Sequence, residues 1–154
     1  MAEYHDFSCS FMRKTDLWDR VEEFRRGNWP QGTVPVDVEL IAERLGFEIV
    51  PKKDLVDVDA FLTIGGASIL VNASKYDRPA YSRRVRFSIA HELGHAILHF
   101  DKIKELRIES IEEYIAFTRS ISDEDYSAFE WQANEFAGRL LVPVEHLKCE
   151  LDVD

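Results

Sequence analysis

The sequence predicts an α+β fold: a small antiparallel sheet of about three strands packed on one buried helix, with further helices around it. Three features carry that expectation. Val56, Val58, Ala60, Leu62 and Ile64 alternate with Asp57, Asp59, Phe61 and Thr63, the period of a strand with one face buried. Gly65-Gly66 follows at once and supplies the positive φ angles of a two-residue hairpin turn, with Ala67–Asn72 as the returning strand. From Ser82 to about Phe100 the chain then reads as a long helix, apolar or small on all but one sector, and a helix of that kind is buried.

The remaining elements follow from local signals. Residues 1–12 carry Tyr4, Phe7, Phe11 and Met12 without a clear period and are expected to lie across the domain as an arm. Thr15 or Asp16 can cap a helix with Leu17, Val21 and Phe24 on one face, and Gly27 fits its end. Asn28–Pro35 reads as loop. Asp37 can cap a second helix through Val38, Ile41, Ala42 and Leu45, stopped by Gly46. Phe47–Val50 looks like a short strand ended by Pro51. Ser110 with Glu113 resembles a capping box for a helix carrying Ile111, Ile115 and Phe117, and a last helix runs from about Asp123 to Leu141.

At 154 residues the chain is expected to form a single domain, 1–154, in which 1–32 supply the arm and first helix. The 19 Lys+Arg against 29 Asp+Glu give a net charge of −10, a poor basis for direct nucleic-acid binding, which draws most of its affinity from phosphate neutralisation. An acidic chain can still dock on a basic protein. Cys9 and Cys149 form no CxxC pair, which argues against a disulfide scaffold or a thiolate metal site. The first residues lack the apolar core of a signal peptide, and no segment is apolar over the length a bilayer requires. The expectation is a cytoplasmic protein without membrane contact.

The chemistry lies in Arg86-Phe-Ser-Ile-Ala-His91-Glu92-Leu-Gly-His95-Ala-Ile-Leu-His99-Phe100. On a helix, residues four apart project from nearly the same side, so His91 and His95 can reach one metal ion. Glu92 is offset by about 100°, which sets its carboxylate beside a metal, within reach of a bound water, rather than on it. Arg84, Ser88, Glu92, His95 and His99 share the sector of His91. Imidazoles and a carboxylate striped along a buried helix need something to satisfy them, and a metal does so. A core helix whose histidines bond to backbone is the plainer alternative.

A catalytic zinc usually takes three protein ligands and a water. His99 lies two turns from His91, too far along the axis to share the ion. The acidic options are Asp101, Glu105, Glu109, Glu112, Glu113 and Glu130. Glu130 is preferred because Ala133, Asn134, Ala137 and Leu141 share its face, beside an apolar stripe of Phe129, Phe136 and Leu140. Asn134 can then orient a metal-bound imidazole. Glu135 points well away.

Ile69-Leu-Val-Asn72, the segment Arg86–His95 and Glu130-Trp-Gln-Ala-Asn-Glu-Phe-Ala-Gly-Arg-Leu-Leu-Val-Pro143 together resemble the ImmA/IrrE family of metallopeptidases, as does Pro35-Val-Asp-Val-Glu-Leu-Ile-Ala-Glu-Arg-Leu-Gly46. The resemblance covers residues 33–147. It implies a zincin-like fold, a zinc ion (Zn2+) held by His91, His95 and Glu130, and Glu92 as catalytic base. It also implies a site-specific peptidase acting on helix-turn-helix repressors. Ser88 stands where that family often has Thr, and Val142 where it often has Met. The chain looks like the minimal, free-standing form, with any DNA-binding or sensing partner expected on a separate chain.

Three readings follow. The first is an enzyme in which zinc polarises a peptide carbonyl and Glu92 moves the water proton. Its oxyanion donor would be His99, Tyr81, Tyr126, Arg83 or Arg84, and its substrate would lie along the edge of the Ala67–Asn72 strand. The second is a binding module that grips a repressor without cutting it. The third, a hydrolase of non-peptide substrates, lacks support from any phosphate-cradling motif.

Overall fold

The computed structural model describes residues 4, 7–55, 57–65 and 67–144. Val56, Gly66 and Cys149, each used in the sequence reading, lie outside the described residues. The chain runs α1 (Lys14–Asn28), α2 (Val38–Arg44), β1 (Glu48–Lys52), β2 (Ala60–Thr63), β3 (Ser68–Asn72), α3 (Ser82–Leu98), α4 (Phe100–Leu106), α5 (Ile111–Ser120) and α6 (Asp123–Leu141). This is the α+β architecture the sequence predicts, with α3 packed between the sheet and α6.

The sheet order is β1-β3-β2. β2 and β3 form the expected antiparallel hairpin, Ala60 opposite Val71, but β1 joins β3 in parallel, Glu48 beside Ser68. The sheet is therefore mixed rather than wholly antiparallel. The reason is the connection from β1 to β2. Lys52 and Ala60 both lie at the C-terminal end of β3, beside Asn72 and Val71, so the chain steps over that end and leaves β1 on the far side. Asn72 fastens the step: its Nδ2 donates to the Leu55 carbonyl at 2.8 Å and to the Val58 carbonyl at 3.2 Å, and its main-chain N–H donates to Asp59. Since β3 is central, its edges are closed to any further strand. The free edge near α3 belongs to β2.

Other local expectations shift for identifiable reasons. All four residues of β2 are buried, so the strand does not have one wet face. Ala60 and Leu62 join the main core, while Phe61 points the other way into a second cluster with Tyr4, Ile108, Phe117 and Phe129. Among the described residues of the turn before β3, the left-handed one is Ala67, at φ 47°, and not Gly65. Pro51 lies inside β1, where the sheet edge leaves its missing N–H without consequence. Helix α1 begins at Lys14, passes through Gly27 and ends at Asn28, whose side chain bonds back to the Phe24 carbonyl at 2.8 Å.

The caps of α2 and α5 form as expected, Asp37 accepting from Leu40 N–H and Ser110 from Glu113 N–H. Helix α4 has no counterpart in the sequence reading. It starts after His99, whose φ of −124° breaks the long helix. The described residues of the arm lie against the domain: Phe7 meets Phe117 and Phe129 edge-on, although Phe11 is 87% exposed.

α3 and α6 approach closely because Gly94 lacks a side chain. A Cβ there would stand 3.1 Å from the Ala133 carbonyl oxygen and 3.1 Å from the Phe136 Cβ. That contact brings the histidines of α3 within reach of α6. On the sheet side, Asp59 accepts from Lys75 Nζ at 2.7 Å and from Arg84 Nε at 2.5 Å. Burial would raise the Asp59 carboxyl, but these two cations outweigh it and hold the group below its ordinary range. A depressed carboxyl contributes stability above its unfolded pKa of about 3.9, lost as pH falls through the folded value. Asp59→Asn should therefore lower the melting temperature at pH 7 and flatten its decline below about pH 4, measured by thermal scans across pH.

Candidate metal centre

Four donor atoms converge between α3 and α6. His91 Nε2 lies 3.1 Å from Glu130 Oε2, and His95 Nε2 lies 3.2 Å from Glu130 Oε1. The two Nε2 atoms are 3.1 Å apart. Helical spacing on α3 brings the imidazoles together, and the Gly94 contact places Glu130 opposite them. Among the described residues this is the group of His, Cys, Asp and Glu side chains able to hold a metal, its three ligand atoms all within 4.8 Å of one another.

The donor set suits a cation. His91 Nδ1 is 2.8 Å from Asn134 Oδ1, an acceptor, so the ring proton sits on Nδ1 and the Nε2 lone pair faces Glu130. A carboxylate and two imidazole nitrogens facing one another at about 3 Å repel unless a proton or a metal lies among them. The charge balance agrees. Burial would lower His91, but Glu130 outweighs it and raises the imidazole above its ordinary value. Glu130 itself is driven well below the carboxylate range: burial opposes this, and the hydrogen bonds and charges of His91 and His95 prevail. Buried His95 is pushed down.

Glu92 stands beside this cluster and not in it, as the helical offset predicts. Its Oε2 accepts from the Leu62 N–H at 3.0 Å, which ties the carboxylate to the free edge strand. Burial raises the Glu92 carboxyl to about 7 in the metal-free protein, Glu130 adds to the shift, and His91 and the Leu62 N–H oppose it. A divalent cation here would draw the value back down. An open groove of about 440 Å³ reaches Glu92 and His91 from one side and is bordered by Asp59, Ala60, Arg84 and Phe87. On the other side a small apolar recess of about 20 Å³ lies against Glu92, His95, Phe61 and Tyr114.

The candidate oxyanion donors fare differently. His99 is buried behind His95, Nδ1 to Nδ1 at 3.0 Å, and does not face the groove. Arg84 borders the groove but is paired with Asp59, while Tyr81 and Arg83 sit at the start of α3, two turns before His91. Tyr126 lies one turn before Glu130 and is 40% exposed.

The residue missed in the sequence is Tyr114, whose hydroxyl donates to Glu130 Oε1 at 3.0 Å. Burial, with the charges of Glu130 and Glu92, raises its phenol far above the ordinary value, so it remains a donor. The signal existed: Ile111, Tyr114 and Phe117 share one face of α5, whereas Ile115, named with Ile111 and Phe117 as an apolar residue of this helix, is 41% exposed. Tyr114→Phe keeps the ring and removes the donor. It should weaken metal binding or activity about 10–100-fold, as losses next to a ligand do, with the melting temperature nearly unchanged. Competition of zinc against a chelator of known affinity measures it.

No helix among the described residues is long and apolar enough to cross a membrane. Neither curated proteins nor solved structures return a match to the chain. A family model does: the IrrE N-terminal-like domain, a peptidase family, matches residues 42–151. That span covers most of the chain and includes all of β1 through α6, so the protein belongs to the IrrE N-terminal-like family of metallopeptidases.

Proposed function

We propose that this chain is a zinc-dependent, site-specific endopeptidase whose substrate is a helix-turn-helix transcriptional repressor. The observation that carries the peptidase reading is the position of Glu92, bonded to the strand that offers a free edge and adjacent to the His91–His95–Glu130 cluster. When bound, zinc polarises a scissile carbonyl and lowers the pKa of a water in the site. The chain's own residues do the rest. His91 and His95 present Nε2 lone pairs and Glu130 a carboxylate. Glu92 takes the water proton and returns it to the leaving amine. Tyr114 holds Glu130 in place from the far side.

The substrate segment is laid on β2, not on β3. Asp59 accepts from Asn72, which turns alternate residues Asp59, Phe61 and Thr63 toward β3. Ala60 N–H, Ala60 C=O and Leu62 C=O are then left for an added strand, the remaining outward donor, Leu62 N–H, being held by Glu92. A peptide paired there runs past the base and the cluster in an extended form, the form a repressor linker takes more readily than a folded helix. The net charge of −10 favours a basic DNA-binding partner, and repressors of this kind act in the cytoplasm.

The test is incubation with a co-encoded helix-turn-helix repressor. Zinc-loaded protein should give two fragments summing to the repressor mass, chelation should abolish them, and added zinc should restore them. An intact repressor under all three conditions overturns the proposal.

A further inference from the structure

The N-terminal arm reaches His95 Nδ1, the ring nitrogen turned away from the metal cluster, through an unbroken chain of hydrogen bonds. The Ser10 carbonyl can only accept, and Gln132 Nε2 donates to it at 2.8 Å. That contact fixes which way the Gln132 amide faces, so its Oε1 is turned to His99 Nε2 at 2.8 Å. An amide oxygen only accepts, so His99 carries its proton on Nε2, leaving a lone pair on Nδ1. His99 Nδ1 in turn lies 3.0 Å from His95 Nδ1, and the proton between them has to come from His95. His95 is thereby held in the tautomer whose Nε2 lone pair faces Glu130 and His91.

A second, separate contact runs the same way. Phe7 of the arm meets Phe129 edge-on at 5.5 Å, and Phe129 stacks on the His95 ring at 4.0 Å with planes 26° apart. The arm itself is tied to α6 by Cys9 N–H, which donates to Asp125 Oδ1 at 3.0 Å, and to α4 by Lys102 on the Ser8 carbonyl.

We infer that Gln132 and His99 are positioning residues for the metal site, and that the arm, which lies before the family-matched residues, sets the His95 tautomer through them. The inference rests on the metal-site reading above. It gives His99 a task that neither metal ligation nor oxyanion binding supplies, and it gives the buried Gln132 side chain a reason to be polar. Neutral imidazole in bulk water divides between two tautomers. A site that has selected one of them loses no affinity to the other, and outer partners of this kind typically account for about 10–100-fold in metal affinity.

Two measurements on the full chain test it. In the zinc-free protein, long-range 1H–15N spectra of the histidine rings should show His99 protonated on Nε2 and His95 on Nδ1. In Gln132→Leu, which keeps the side-chain bulk and loses both bonds, the His99 pattern should become a mixture of tautomers. Zinc affinity, read by competition with a chromogenic chelator, should fall about 10–100-fold in that variant. Glu135→Ala, elsewhere on the same helix, should keep wild-type affinity although it loses a bond from Trp18.

A His95 ring protonated on Nε2 in the wild type, or zinc affinity unchanged in folded Gln132→Leu, overturns the inference. If Gln132→Leu does not fold, the wild-type ring spectrum still decides. A wild type that shows the expected tautomers and binds no zinc would instead sink the metal-site reading and leave the relay standing.

Discussion

Replacing Glu92 by Gln should lower the rate of repressor cleavage by about 10²–10⁴-fold while zinc content and repressor binding stay at wild-type values. Loss of a positioned general base carries a penalty of that size. Retention of zinc follows from geometry: Glu92 is outside the set of ligand atoms that meet at His91, His95 and Glu130. The fold should persist because the Gln amide is nearly the same size and can keep an oxygen on the Leu62 N–H. It should even gain a little, since the carboxylate it replaces is half-buried and its charged form is disfavoured, with its pKa raised to about 7.

The variant also separates cutting from gripping. A peptidase gives fragments from the wild type and an intact, bound repressor with Glu92→Gln. A binding module gives equal relief of repression by both proteins and fragments with neither, an outcome that would retire the peptidase reading in favour of sequestration.

What was legible in the sequence was whatever depends on residues a few positions apart. The i, i+4 pair His91 and His95, the offset of Glu92, and the caps at Asp37 and Ser110 are local geometry, and each is found where the spacing puts it. Glu130 was reachable because its face on α6 is flanked by small and apolar residues, a mark of close helix packing that Gly94 answers from α3. Position across the sheet was not legible. Nothing in Phe47–Val50 says whether it pairs in parallel or antiparallel, because that depends on how a connection passes over β3, and the Asn72 side chain that fastens it acts across 14 to 17 residues. The burial of Phe61 needed the second cluster, which is assembled from the arm, α5 and α6. Tyr114 was lost for a related reason: its partner, Glu130, is 16 residues away and on another helix. His99 stood out in the sequence only as an oxyanion candidate and Gln132 not at all, since the argument that joins them begins at a backbone carbonyl of the arm, 122 residues from Gln132.

Removing any one of His91, His95 or Glu130 by alanine should take the zinc content from about one ion per chain to nearly none. Two protein ligands do not hold zinc against water and buffer as three do. Glu130→Ala has a further consequence, because it also strips the acceptor from Tyr114 and the counter-charge from His91. Glu135→Ala is the matched control. Glu135 accepts from Trp18 Nε1 at 3.1 Å, so its loss loosens α1 on α6 by about 1 kcal/mol and leaves the metal in place. Thermal scans read both effects at once. With free zinc at about 100 times the dissociation constant, wild type and Glu135→Ala should each gain about 2.7 kcal/mol of stability, or roughly 5–10 °C for a chain of this length. The three ligand variants should show no zinc-dependent shift. Elemental analysis checks the same point without heating. If wild type and the His91→Ala, His95→Ala double variant carry equal zinc, the ion is held elsewhere. If Glu135→Ala loses zinc and Glu130→Ala keeps it, the third ligand has been placed on the wrong face of α6.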